Sequence, residues 1–122
     1  MEANHIISIR NNVDVIMMRT EVRNTARRIG MGMMDQASIS LAASSLAHAL
    51  GLGCTHEGQV TIALVQTADR TGLQVTCMNQ SNHESISLTA KTLQDARWMV
   101  DDLTVETLPA QVLKITLVKW MS

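Results

Sequence analysis

The sequence predicts an α/β chain of the α+β kind, a two-layer sandwich in which a mostly antiparallel sheet carries its helices on one face. Three observations lead there. Apolar residues recur at helical spacing in two successive N-terminal segments and again near Ala96. Two pairs of segments rich in β-branched residues are each joined by a short turn, which makes hairpins and not parallel crossovers. Pro109 sits between the last two of these segments, where a fixed φ suits a turn and no central ladder loses a donor.

Each element has its own signal. From His5 to Arg10, Ile7 and Ile9 alternate with Ser8 and Arg10, the period of a half-buried strand. Asn12 and Asp14 are then expected to accept hydrogen bonds from the free N–H groups that open a helix. Val15, Met18, Val22, Ala26 and Ile29 form its apolar stripe, and Gly30 and Gly32 end it. Asp35 is expected to cap a second helix with the stripe Ile39, Ala42, Ala43, Leu46, Ala49 and Leu50, closed by Gly51 and Gly53. The Ala- and Ser-rich surface of this helix permits close approach. Gln59 to Thr67 and Gly72 to Asn79 read as a hairpin across Ala68-Asp69-Arg70-Thr71. A third helix is expected from Leu88 to Asp101, with Leu93, Ala96 and Val100 inward. Leu103 to Leu108 and Val112 to Lys119 close the chain as a second hairpin.

Composition bounds the function. A chain of 122 residues, 46% hydrophobic, is enough for one domain, residues 1–122, with a real core. It has no Phe or Tyr, so the core is built from aliphatic residues and nine Met, which pack adaptably. A net charge of −1 gives no field to draw nucleic acid or an acidic membrane, and Trp98 and Trp120 alone make no base-stacking platform. No signal peptide or membrane-spanning apolar run occurs, and Cys54 and Cys77 stand apart without a CxxC spacing, so a reducing cytoplasm is the expected setting. Cys54 and His56 would supply half of a four-ligand zinc site, and they read as loop residues, with no metal site.

Several short motifs follow one another in a telling order. Asn24-Thr25-Ala26-Arg27-Arg28-Ile29-Gly30-Met31-Gly32 precedes Asp35-Gln36-Ala37. Much later Leu93-Gln94-Asp95-Ala96-Arg97-Trp98-Met99-Val100-Asp101-Asp102-Leu103 leads into a strand, a Pro turn and Val112 to Trp120. This succession, spanning nearly the whole chain, resembles the anti-sigma-factor serine kinases, the RsbT/RsbW-like branch of the GHKL ATPases. The resemblance implies a GHKL (Bergerat) type of sandwich, ATP and Mg²⁺ as cofactors, and protein partners.

The resemblance also shows what this chain lacks. The family's catalytic helix carries Glu-Leu-x-x-Asn, a general base and a Mg²⁺ ligand, and here that frame reads Ser45-Leu46-Ala47-His48-Ala49. Ser45 is not a carboxylate and Ala49 ligates nothing. The family's Asp-x-Gly-x-Gly, which reads adenine and cradles phosphate, becomes Asn79-Gln80-Ser81-Asn82-His83, so Ser81 and His83 bring bulk where glycine is needed. No glycine stands between Ser85 and Thr92, where a lid glycine box is expected. Phosphoryl transfer is almost wholly positioning and electrostatics, so four failures in one site predict no catalysis and no cofactor.

What is left points to protein contact. Arg19, Arg23 and Arg27 line one helix face and suit an acidic partner. Ser44, Ala47 and His48 on the small-residue helix are the second candidate surface. Met31, Met33 and Met34, with Met17 and Met18, serve either as an adaptable contact patch or as core. The expected function is a non-catalytic regulatory module of the anti-sigma kinase fold, a pseudokinase in bacterial partner switching. Its partner is a STAS-domain antagonist, a phosphatase, a sigma-regulatory protein or a second copy of the chain. The alternative is an ATP-dependent serine/threonine kinase whose missing groups come from a partner.

Overall fold

In the computed structural model, residues 5–53, 57–79, 90–109 and 112–121 are described. They run as β1 (His5–Ile9), α1 (Asn12–Arg28), α2 (Met33–Ala49), β2 (Gly58–Gln66), β3 (Thr71–Asn79), α3 (Ala90–Met99), β4 (Asp102–Leu108) and β5 (Val112–Trp120). The strands form one sheet in the order β1-β2-β3-β5-β4, and every pairing is antiparallel. This is the two-layer α+β arrangement that the alternation predicts. Ile9, Val60, Ile62, Leu73, Val75, Cys77, Ile115 and Leu117 turn to the helical layer and are buried. On the opposite face Thr61, Thr76, Thr116 and Thr104 stand in a single cross-strand row over four strands.

The start of α1 lies one residue earlier than expected. Asn11, not Asn12, is the N-cap, and its side chain accepts the Asp14 N–H at 3.0 Å. Asp14 faces back to accept the Arg10 N–H at 2.9 Å, so the two side chains close the strand-to-helix corner between them. Val15, Met18, Val22 and Ala26 are buried as the stripe requires. Arg27 and Arg28 complement the negative end of the helix. Gly30 then turns the chain at φ 99°, a left-handed conformation that a side chain would strain.

Asp35 does not cap α2. The cap is Gly32, with no side-chain bond, and Asp35 lies in the first turn, 3.7 Å from Lys119 of β5. That pair ties the start of the helix to the sheet. Beyond it, α2 is enclosed by α1 on one flank, α3 on the other and β3 and β5 beneath. Ile39, Ala42, Ala43, Leu46 and Ala47 have no exposed surface. Ser40 and Ser44 are buried with them, and their hydroxyls donate to the carbonyls of Ala37 and Leu41 three residues back. Polar atoms satisfied within their own helix cost little inside a core.

At its C-terminal end α3 stops two residues before the expected Asp101. Asp101 instead joins the sheet: its N–H donates to the Val118 carbonyl, and its carboxylate accepts the Trp120 N–H at 2.7 Å. The expected start at Leu88 lies outside the described residues. Among the described residues, Gly58 is one point where the sheet tolerates no side chain. A Cβ there would run into the Met78 carbonyl oxygen and stand 2.6 Å from Leu52 Cδ2. Gly58→Ala is therefore expected to cost about 1–3 kcal/mol of stability through overpacking. Urea unfolding would check this as a lower midpoint at unchanged slope.

Candidate functional site

Ser45 and Ala49, the two helix positions singled out in the sequence, do share a cleft. Ser45, His48 and Ala49 of α2 face Thr92 and Asp95 of α3 across an open groove of about 420 Å³. Helical spacing puts Ser45 and Ala49 one turn apart on the α3 side of α2, with His48 at the exposed rim. Asp95 is held by Lys91 at 3.2 Å, an i,i+4 pair on the surface of α3. Among the described residues, no group of three or more His, Cys, Asp or Glu side chains is placed to hold a metal ion. Ser45 offers this groove a hydroxyl, and Ala49 offers it no ligand atom.

At the end of β3, Asn79 serves a different purpose from reading a base. It is 1% exposed, and its Oδ1 accepts the Leu113 N–H at 2.7 Å. The ladder between β3 and β5 stops at Met78 and Lys114, so this amide supplies the acceptor for the next N–H along β5. Ser81 and His83, the other positions of the vestigial pocket, lie outside the described residues, as do Cys54 and His56 of the sequence-level metal question. Cys77 is buried, and burial pushes its thiol up to about 12. Its Sγ lies 3.9 Å from the Ala43 carbonyl, and it serves as core and not as a nucleophile.

The expected contact residues divide. Arg19, Arg23 and Arg27 are all exposed on α1, as the spacing requires. Arg27 reaches only Asn24, at 3.4 Å, while Arg19 and Arg23 have no hydrogen bond or ion pair among the described residues. His48 is exposed. Ser44 and Ala47 are not surface residues: both are buried in the contacts that pack α2, so neither side chain is available to a partner. Of the methionines, Met18 and Met31 are core, whereas Met17, Met33 and Met34 are exposed.

Sequence reasoning missed an apolar component of this surface. Ile16 lies on the arginine side of α1 and is more than half exposed, as are Met34 and Leu41 on α2. Met34, Leu41 and His48 fall seven residues apart, which marks the one outward stripe of a helix covered elsewhere. That spacing was legible, but nothing local says which stripe is left bare. Thr92 and Asp95 were missed as the far wall of the groove for the same reason.

No protein-family model matches the chain, and no curated protein matches it. Solved structures do. The crystal structure of the RsbU and RsbW domains of Rv1364c from Mycobacterium tuberculosis superposes with a TM-score of 0.67 at 15% identity, over 98% of this chain and 32% of that one. The class of fold is therefore the two-layer α+β sandwich shared with part of that structure. The chain spans about a third of the solved chain, and identity this low carries the fold alone. No helix among the described residues is long and apolar enough to cross a membrane.

Two variants test this description of the site. Asn79→Ala strands the Leu113 N–H and is expected to cost roughly 1–3 kcal/mol. Ala47→Leu overpacks the centre of α2 and is expected to cost about 1–3 kcal/mol as well. Thermal and urea unfolding would measure both, and an Ala47→Leu protein as stable as the parent would contradict the burial of that face.

Proposed function

We propose that this protein is a non-catalytic regulatory binding module of the anti-sigma kinase fold, a pseudokinase that works by docking on another protein of a cytoplasmic partner-switching system. The observation that carries the reading is the groove between α2 and α3, where the two positions that the resemblance makes base and metal ligand are Ser45 and Ala49, which can serve as neither. Asn79 adds to this, since its side-chain oxygen is engaged by the sheet. Phosphoryl transfer depends on holding the phosphates and metal in place, and these residues hold neither.

The docking surface is the exposed side of α1 with the outward stripe of α2. Arg19 and Arg23 present exposed guanidinium groups without partners among the described residues, on the helix face that also exposes Ile16, and Leu41 is exposed on the outward stripe of α2. Cationic groups steer an acidic surface into place, and apolar anchors slow its departure. A STAS-domain antagonist, a phosphatase or a sigma-regulatory protein with an acidic face is the fitting partner.

Titration with a fluorescent ATP analogue in the presence of Mg²⁺ should give no saturable binding, and Ser45→Glu alone should restore no kinase activity. Stoichiometric tight binding by the unmodified chain would refute the non-catalytic reading. For the surface, partners are captured from neighbouring sigma-regulatory proteins and their association rates measured. Replacing Arg19, Arg23 and Arg27 together by Glu should slow association by about tenfold or more at low salt and leave stability nearly unchanged. An unchanged association rate would remove the arginine face.

A further inference from the structure

A second cavity, of about 510 Å³, opens on the sheet face that the helices leave bare. Its floor is one cross-strand row, Ser8 opposite Gln59 and Gln59 opposite Met78, whose side chains alternate with the buried Ile9, Val60 and Cys77. Its apolar wall comes from the end of the last hairpin. The β4–β5 ladder runs on to Leu108 and Val112, two residues past the last rung between β3 and β5, so Leu108, Pro109 and Val112 project beyond the end of β3. A cavity of this size, lined by both apolar and polar side chains, falls within the range of small-ligand sites, about 300–1,000 Å³.

The charges at its edge specify the ligand. Ile9 pairs with Gly58, so Arg10 and Glu57 flank that last rung at matching positions and both line the cavity. Neither side chain makes a hydrogen bond or ion pair among the described residues, not even with the other. Gly58, next to Glu57, also lines the cavity and adds no side chain to it. A ligand with one charge would pair with one of these two groups and face a like charge on the other, whereas a zwitterion meets both. A phosphate-rich ligand would be repelled by Glu57, and the cavity walls offer no aromatic ring on which a base could stack.

We propose that this cavity binds a free apolar α-amino acid. The Arg10 guanidinium takes the carboxylate, the Glu57 carboxylate takes the ammonium group, and Met78, Leu108, Pro109 and Val112 enclose the side chain. Ser8 and Gln59 supply neutral hydrogen-bonding groups at the floor. The site is on the opposite side of the sheet from the α2–α3 groove and is independent of the function proposed above.

The test uses the whole chain with isotope-labelled methionine methyl groups, the Met78 signal being assigned through Met78→Leu. L-leucine should shift the Met78 methyl resonance saturably. Leucinamide, which lacks the carboxylate, and isocaproate, which lacks the ammonium group, should each bind at least about tenfold more weakly. Arg10→Met and Glu57→Gln, both at exposed positions, should each weaken L-leucine binding by about tenfold or more while leaving the remaining methyl signals in place. No saturable shift with L-leucine, L-methionine or L-phenylalanine up to about 10 mM would overturn the proposal. Isocaproate or leucinamide binding as tightly as L-leucine would overturn it too, since the site would then not read both charges.

Discussion

The close packing of α2 is the constraint on which the rest of the molecule depends. A helix can be enclosed on three sides only if its side chains are short enough for its neighbours to approach, and Ala42, Ala43, Ser44 and Ala47 meet that requirement. Ile39, Leu46 and Leu50 fill the remaining volume. The buried hydroxyls of Ser40 and Ser44 bond to their own helix, so a sequence that looks half polar behaves as core. Once α2 is placed, α1 and α3 are fixed as its flanks, and the groove by Ser45, the arginine face and the bare side of the sheet all follow.

Two residues of types that often carry chemistry are here given to structure. Asn79 supplies a hydrogen bond where the β3–β5 ladder runs out, and Cys77 lies under α2 as an apolar residue. Two other surfaces carry side chains that the fold leaves exposed. One is the outward side of α1 and α2, with exposed Arg19, Arg23 and Ile16 on α1 and exposed Leu41 on α2. The other is the end of the sheet where Arg10 and Glu57 face one cavity. The row of threonines across the rest of that face gives strands their β-branched preference without a large apolar patch, which is how a sheet face stays uncovered.

Most of the architecture was legible in the chain. The alternation of Ile7 and Ile9, the stripes of α1 and α2, the turn at Ala68 to Arg70 and the proline at the last hairpin each mark an element through a local physical rule. What was misread involves competition between neighbours of the same chemistry. Asn11, Asn12 and Asp14 can all cap a helix, and only the path of the chain out of β1 selects Asn11. Asp35 has the right residue type for a cap, but Lys119, distant in sequence, draws it into a pair with the sheet. Ser44 and Ala47 looked like surface because small residues are neutral in hydropathy, and their burial is decided by what packs on them.

By itself, then, the sequence determined the order of the elements, the antiparallel hairpins and the apolar stripes. These are properties of spacing and side-chain type, written in short stretches of chain. Tertiary structure alone decided which stripe of α2 remains outward, that Thr92 and Asp95 form the wall opposite Ser45, and that Asn79 bonds Leu113. It also brought Arg10 and Glu57 to the ends of one rung, beside a hairpin that begins almost fifty residues after Glu57. Such relations join residues far apart in the chain, and their distances are set only when the sheet register and the helix packing have closed.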